Sequence, residues 1–226
     1  MVINVHAGHN PDGRIACGAI GLLKESTQAR NVKNEVIRQL QLMGHTVYDC
    51  TCDNGANQQD VLNKIIKKCN AHKAELDVSI HFNSAANDLK GDGKTTGTEV
   101  YIYSPTAGAK EYAERTVNAI ASLGFRNRGV KSNTSLRVLR ETAAPAMLIE
   151  CCFVDDADDA KLYSSQAMAS AIVYGITGRR LQEEPAPVEK NSKNYRVQVG
   201  AFSNPVNAER LKADLIGKGY SAFITQ

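Results

Sequence analysis

Apolar residues recur along the first 178 positions at two different spacings. Short apolar runs predict strands, whereas apolar residues separated by three and four positions predict helices. The predicted strands cover residues 2–9, 45–50, 76–81, 98–103, 136–139 and 146–154, and the predicted helices cover about 29–43, 61–69, 106–123 and 157–176. Because strands alternate with helices, we expect an α/β fold with a mainly parallel sheet that is covered on both faces.

Details of this pattern make further predictions. Gly44 is expected to end the first helix, and the strand from Thr98 to Tyr103 alternates as a half-exposed strand would. A basic stretch, Arg126–Lys131, precedes the short predicted strand Leu136–Leu139. His6 is interpreted as an outward-facing residue of the first strand, and the alternative is a group that supports nearby chemistry.

The apolar strand Ala146–Val154 contains one carboxylate, Glu150. A carboxylate in such a strand is expected to be buried, and burial costs several kcal/mol unless the group is paired, protonated or bound to a cation. A purely structural role explains Glu150 poorly. We therefore regard Glu150 as a candidate catalytic residue.

Two other apolar strands end at an imidazole, namely His9 and His81, and Glu25 lies near the start of the first helix. Two His and one Glu are a ligand set that catalytic zinc commonly takes. The spacing alone leaves other roles open, because both His residues can be structural and Glu25 can be a solvated or helix-starting carboxylate. His9, Glu25 and His81 are thus candidate metal ligands.

Composition and charge narrow the function classes. The 226 residues are 42% hydrophobic and 23% charged, which is typical of a globular protein, and no apolar run approaches the roughly 18 residues that span a membrane. Lys and Arg number 8 against 5 acidic residues from Arg179 onward, and 19 against 19 before it. A neutral body does not favour nucleic-acid binding. The N-terminus enters a strand without the pattern of a secretory signal.

The six cysteines contain no Cys-x-x-Cys pair, and Cys151 and Cys152 lie within a predicted buried strand. We interpret all six as reduced thiols in or near the core, as expected after synthesis in a reducing compartment. Cys50 and Cys52 leave a redox-active or metal-binding pair open as an alternative.

The C-terminal region is predicted to form a separate module. Residues 179–193 contain Glu-Glu-Pro-Ala-Pro and are typical of a linker. Beyond them, residues 195–199 predict a strand, Ala208, Leu211 and Leu215 predict a helix, and residues 220–224 predict a final strand. One β-α-β unit of this size buries little core, so we expect it to pair with a partner or with the main domain.

Several segments together resemble one enzyme family. They are Ala7–His9, Glu25, Ser79–Ser84, Asn127–Lys131, Leu136–Leu139, Pro145–Glu150 and Cys152–Asp155. Over residues 1–178 these segments resemble the zinc-dependent N-acetylmuramoyl-L-alanine amidases, most closely the endolysins and spore-lytic enzymes of Gram-positive phages and their hosts. Residues 194–226 resemble part of a SPOR peptidoglycan-binding module, of which the chain carries about the first half.

The resemblance implies a three-layer α/β/α fold in which His9, Glu25 and His81 hold Zn²⁺ and Glu150 is the catalytic acid and base. It implies cleavage of the amide between N-acetylmuramic acid and L-alanine in peptidoglycan, at the cell wall after release from the cytoplasm. Substrate binding is predicted for Asn83, Arg128, Lys131 and Arg140. Arg126 and Arg137 are further candidates for binding stem-peptide carboxylates, and a solvated basic edge is the alternative.

Three functions remain open at this point. The first is a zinc amidase whose C-terminal module binds the wall and forms a possible dimer. The second is a non-catalytic peptidoglycan-binding or regulatory protein on the amidase fold. The third is a zinc peptidase or deacetylase that acts on another amide. The presence of all four chemical positions favours an enzyme over the second function.

Overall fold

Strands and helices alternate along most of the chain in a computed structural model, which describes residues 1–181, 198–217 and 222–224. The chain forms two units, Met1–Gln182 and Glu183–Gln226. The first unit contains, in order, β1 Val2–Ala7, α1 Glu25–Leu42, β2 Thr46–Asp49, α2 Gln58–Cys69, β3 Leu76–Asn83, β4 Thr98–Ile102, α3 Lys110–Ala121, β5 Asn127–Ser132, α4 Arg137–Glu141, β6 Ala146–Phe153, α5 Ala157–Leu162 and α6 Ser165–Thr177.

The six strands form one sheet in the order β2-β1-β3-β6-β4-β5. All neighbouring pairs are parallel except β4 and β6, which are antiparallel. One face packs on α1, α3 and α6 through a large core that includes Ile3, Val78 and Ile149. The other face carries a smaller core with α2 and α4, in which Ile65 and Leu148 are buried. The predicted α/β class with a mainly parallel sheet between helical layers is confirmed.

The strand β4 is more buried than its sequence pattern suggested. Val100 and Ile102 lie in the large core, and Glu99 on the opposite face is only 2% exposed. The prediction of a half-exposed strand was wrong because β4 lies between β6 and β5, and the edge strand β5 supplies cations that cover Glu99.

The short strand predicted after the basic stretch is a helix. Residues Asn127–Ser132 form the edge strand β5, whereas Arg137–Glu141 is the helix α4. A hydrogen bond of 2.9 Å from Arg137 Nε to Glu141 Oε1 supports this helical turn. Val138 and Leu139 remain buried in the smaller core, so their apolar character was informative although the element type was wrong.

The predicted helix 157–176 is two helices. Tyr163 and Ser164 have extended backbone conformations, and the Ser164 side chain accepts a hydrogen bond from Ala167 N as the N-cap of α6. Ser is a favourable N-cap because its oxygen satisfies an N–H group that the helix leaves free. By contrast, the predicted glycine stop of α1 is confirmed, because Gly44 with φ +81° follows the C-cap residue Met43.

His6 is buried rather than outward-facing. Its side chain lies on the face of β1 opposite Val5 and Ala7, with Nδ1 3.5 Å from Ser79 Oγ, and the residue is 1% exposed. Burial, followed by the charge of His81, lowers the pKa of His6 to about 3. The prediction failed because β1 is an inner strand whose two faces are both covered.

The second unit contains α7 Pro205–Gly217, at the position of the helix predicted from Ala208, Leu211 and Leu215. None of the described residues of α7 is buried. The strands predicted at 195–199 and 220–224 lie partly outside the described residues, as does most of the linker 179–193. All six cysteines are free. Among the described helices, none combines the length and apolar composition that crossing a bilayer requires.

The acidic residues around α5 hold the end of β6 and the start of β4 together. Asp159 is fully buried and accepts hydrogen bonds from Phe153 N at 2.8 Å and Gly97 N at 3.0 Å. Asp156 binds Thr96 through N and Oγ1. These bonds tie the loop that follows β3 to the region where β6 ends.

We expect Asp159→Ala to lower the free energy of unfolding by about 3 kcal/mol, because two buried N–H groups lose their partner. The exposed loop variant Asp92→Ala is the matched control and should stay within about 0.5 kcal/mol of the wild type. Urea unfolding followed by circular dichroism measures both. Equal stability of the two variants would contradict the anchoring role of Asp159.

Candidate metal centre

Three candidate ligands meet near the carboxyl ends of β1 and β3. These strands are parallel neighbours, with Ala7 paired to Ile80, so His9 follows β1 close to His81 on β3. Glu25 is the first residue of α1, where the helix dipole favours a carboxylate. Ligand atoms of His9, Glu25 and His81 all lie within 4.8 Å of one another.

The Glu25 carboxylate joins the two imidazoles. Its Oε1 lies 3.0 Å from His81 Nδ1 and 3.3 Å from His9 Nε2, and it also accepts a bond from Phe82 N at 3.2 Å. Its Oε2 accepts a bond from Ala19 N at 2.8 Å. Every oxygen of this buried carboxylate is therefore engaged, which offsets the cost of burying it.

Burial and hydrogen bonding shift the pKa values of His9, Glu25 and His81 in opposite directions. Burial raises the pKa of Glu25, but hydrogen bonds from His81 and His9 outweigh it and hold that pKa far below its ordinary value. Burial lowers the pKa of His9, yet Glu25 raises it above the ordinary value. At His81 burial dominates and the pKa is lowered. An anionic carboxylate thus lies between two imidazoles.

The donor set fits a zinc ion. Two imidazole nitrogens and one carboxylate oxygen are common ligands of catalytic zinc, and all three converge here. His9 Nδ1 is buried and has no hydrogen-bond partner among the described residues. A second acidic group, Asp88, Asp156 and Asp158, also clusters, but its carboxylates already accept backbone N–H groups, as Asp156 does from Thr96.

Backbone geometry around the ligands leaves little room for other side chains. A Cβ on Gly8 would lie 2.0 Å from His81 Cε1, and one on Gly18 would lie 2.5 Å from Glu25 Oε2. His9 itself has φ +64°, a conformation that non-glycine residues rarely adopt. Arg30 on α1 stabilises this turn by donating from its terminal nitrogen to the carbonyl of His9 at 2.9 Å.

Glu150 lies beside this centre on β6. It pairs with His81 of β3 on one side and with Glu99 of β4 on the other. Its Oε2 is buried and lacks a partner among the described residues. Burial, then the charges of Glu25 and Glu99, raise the pKa of Glu150 to about 8. This carboxyl group can therefore hold or release a proton near neutral pH.

Glu99 is the residue that sequence reasoning missed. Burial would raise its pKa, but bonds from Arg128 and Lys131 lower it, so Glu99 stays anionic. Its position between Thr98 and Val100 in an apolar strand is the same signal that singled out Glu150. The alternation of β4 predicts a half-exposed strand, and in such a strand a carboxylate can be explained as a solvent-facing residue.

The structure brings three of the four predicted substrate-binding residues together at Glu99. Asn83 Nδ2 donates to Glu99 Oε1 at 2.9 Å, Arg128 Nε donates to Oε2 at 2.7 Å, and Lys131 binds the same oxygen. Arg140 lies apart, because its guanidinium binds Glu141 Oε1 at 2.7 Å on α4. Arg137 binds the same carboxylate, and Arg126 is exposed.

An α/β sheet whose strand ends bring two imidazoles and a carboxylate within reach of one cation, beside a second buried carboxylate, is typical of metal-assisted hydrolases. Residues 3–178 match the N-acetylmuramoyl-L-alanine amidase family, and the chain belongs to that family. Residues 191–226 match the SPOR domain.

Individual relatives agree with this assignment. The chain is 35% identical over 159 residues to the N-acetylmuramoyl-L-alanine amidase CwlM of Bacillus licheniformis, covering 69% of this chain and 58% of that protein. It is 29% identical over 171 residues to the sporulation-specific N-acetylmuramoyl-L-alanine amidase of Bacillus subtilis, covering 75% and 64% respectively. The chain thus spans roughly three fifths of the length of these curated relatives.

The fold is similar to a solved endolysin domain. The catalytic domain of the CD27L endolysin targeting Clostridia Difficile superposes with a TM-score of 0.70 and 25% sequence identity. The match covers 80% of this chain and 98% of the endolysin domain.

We expect Gly18→Ala to weaken binding of a titrated zinc ion by at least tenfold, because the added methyl group displaces Glu25 and also contacts His9 too closely. Gly13→Ala is a matched control in the same loop. Both glycines have nearly equal φ, +82° and +79°, but a Cβ on Gly13 meets nothing within 4 Å. Competition with a chromogenic chelator measures both affinities. Equal losses would assign the effect to backbone strain rather than to Glu25.

Proposed function

We propose that this protein is a zinc-dependent amidase that cleaves the bond between N-acetylmuramic acid and the L-alanine of the peptidoglycan stem. The observation that carries the proposal is the convergence of His9, Glu25 and His81 beside Glu150, in a chain that belongs to the amidase family. The proposed site of action is the bacterial cell wall.

The three residues would hold Zn²⁺, which would act as a Lewis acid and would lower the pKa of a water molecule to about 7. The chain's own contribution is to orient the ligands. Glu25 fixes both imidazoles through one oxygen, while Ala19 N and Phe82 N fix Glu25. A nearby cation also favours the carboxylate form of Glu150 and so prepares it to accept a proton.

Glu150 is the proposed general base and acid. It takes the proton of the attacking water and then donates it to the departing amine of L-alanine. Its buried, unpartnered Oε2 suits this role because no other protein group in the described part of the chain competes for the proton. Glu99, the neighbouring carboxylate, is held by four donors and has a lowered pKa, so it is a poor proton carrier.

The proposed substrate groove includes Asn83, Arg128 and Lys131, which lie together beside the catalytic carboxylate. Arg140 is not part of the proposed groove, because its guanidinium group donates a hydrogen bond to Glu141. The proposed role of residues 191–226 is binding to the wall, as the SPOR match suggests. Self-association through this region is part of the proposal, since α7 leaves its apolar residues Leu211 and Leu215 without full burial.

Glu150→Gln is expected to reduce amide cleavage by at least a thousandfold while zinc remains bound at one ion per chain. Gln has nearly the same shape but cannot carry the proton. Glu114→Gln, at an exposed position on α3, is the matched control and should keep wild-type activity. Turnover of a purified muropeptide, together with metal analysis, gives both quantities. A Glu150→Gln variant with normal turnover would remove this residue from the chemistry.

Removal of metal is expected to abolish cleavage, and added Zn²⁺ is expected to restore it. Digested cell walls should then show new free amino groups without new reducing ends, because an amide is cut and the glycan is left intact. Mass analysis of the released peptides tells which amide was cut, and thereby separates an amidase from a peptidase or a deacetylase. A well-folded preparation that binds walls but releases nothing would support the non-catalytic alternative.

A further inference from the structure

A cluster of polar and charged side chains, formed by Asn83, Arg128 and Lys131 around the buried Glu99, lies on the sheet beside Glu150. We infer that Glu99 is a positioning residue that holds Asn83, Arg128 and Lys131 as a receptor for one carboxylate of the stem peptide. This inference rests on the proposed amidase function and names the group that the enzyme recognises. It is based on the four side-chain donors that converge on the Glu99 carboxylate, which is only 2% exposed.

Glu99 lies next to a second carboxylate, and the surrounding donors offset the repulsion between the two. Glu99 and Glu150 are paired residues of adjacent antiparallel strands, and like charges at such positions repel each other. Glu99 is stabilised as an anion by the cations of β5, whereas Glu150 receives none of these donors. The cations are thereby held at the edge of the catalytic site.

Each cation is held from two sides. The guanidinium of Arg128 binds Glu99 through Nε and lies over the ring of Phe153, 4.9 Å from its centroid. Lys131 binds Glu99 and lies 5.8 Å from the ring centroid of Tyr101, whose hydroxyl group also donates to Glu99 at 2.8 Å. The two long side chains are therefore ordered before any ligand arrives, which lowers the entropy cost of binding.

The charges of the cluster do not cancel. Arg128 and Lys131 both bind the one anion Glu99, so these three side chains have a net charge of +1. The side chains of Arg128 and Lys131 are 29% and 39% exposed, so a solute can reach them. Arg128 binds Glu99 through Nε. Its two terminal nitrogens have no hydrogen-bond partner among the described residues and so are available to a ligand. A planar fork of this kind matches a carboxylate.

The test compares two N-acetylmuramoyl-peptides that differ only in whether their stem carboxylates are free or amidated. The readout is the ratio of kcat/KM for the acid to kcat/KM for the amide, measured with the zinc-loaded full chain. This ratio does not depend on the fraction of folded enzyme, since misfolding lowers both values equally. The wild type is expected to prefer the acid by at least tenfold.

Glu99→Gln is expected to reduce the preference to about twofold, mainly through a higher KM for the acid; the effect of the lost charge on Glu150 changes kcat for both substrates alike and leaves the ratio unaffected. Arg128→Gln should also reduce it, and Glu99→Asp, which keeps the charge, should retain most of it. Glu141→Gln is the matched control, because Glu141 also holds two arginines, Arg137 and Arg140, on α4. The ratio in this control should equal that of the wild type.

Several results would overturn the inference. They are a wild-type ratio near one, an unchanged ratio in Glu99→Gln, a larger ratio that would make Glu99 a competitor for the cations, or a collapse of the ratio in Glu141→Gln. Affinity of the full chain for the two stem peptides, measured by calorimetry, decides the same question without turnover. Absence of any amide cleavage by the wild type would instead contradict the proposed function.

Discussion

The structure of the site depends on one buried carboxylate, Glu25. An anion at this depth is tolerated because two imidazoles and two backbone N–H groups engage its oxygens. That requirement dictates the surroundings: the loop after β1 must return Ala19 N to the carboxylate, and Gly8 and Gly18 must lack side chains. The first turn of α1, the β1 loop and the end of β3 are therefore joined at one group.

Two further carboxylates on neighbouring strands show how environment assigns roles to identical side chains. Glu99 has four donors and a lowered pKa, while Glu150 has an unpartnered oxygen and a pKa of about 8. Pairs of acids whose environments push their pKa values apart are typical of acid and base catalysis. The edge strand β5 causes this difference, since its cations reach Glu99, whereas β4 lies between β5 and Glu150.

Much of the fold and part of the site could be predicted from local patterns. The strand that carries Glu150, the first helix with its glycine stop, and the imidazoles at strand ends all follow from periodicity. The failures share a cause, which is that local patterns do not tell what covers a residue. The sequence predicts an outward-facing His6 and a half-exposed strand around Glu99, but both residues are buried because the sheet is covered on both faces.

The helix α4 and the helix break at Tyr163 show another limit of prediction from local sequence patterns. Short apolar segments such as Leu136–Leu139 fit a strand or a helix equally well, and the Arg137 to Glu141 contact that supports the helix exists only once the turn has formed. Pairing across the sheet also lies outside any local pattern. The antiparallel pairing of β4 with β6 is what places Glu99 opposite Glu150.

The two faces of the sheet differ: one packs in the large apolar core, and the other carries the polar residues of the candidate site. One face contributes Val78, Val100 and Ile149 to the large apolar core, and the same three strands contribute His81, Glu99 and Glu150 to the other face. Because side chains alternate along a strand, each functional residue has apolar neighbours that anchor its backbone from the opposite side. The large core thus holds the polar row in register, and a buried row of acids and imidazoles can persist without an apolar core of equal size around it.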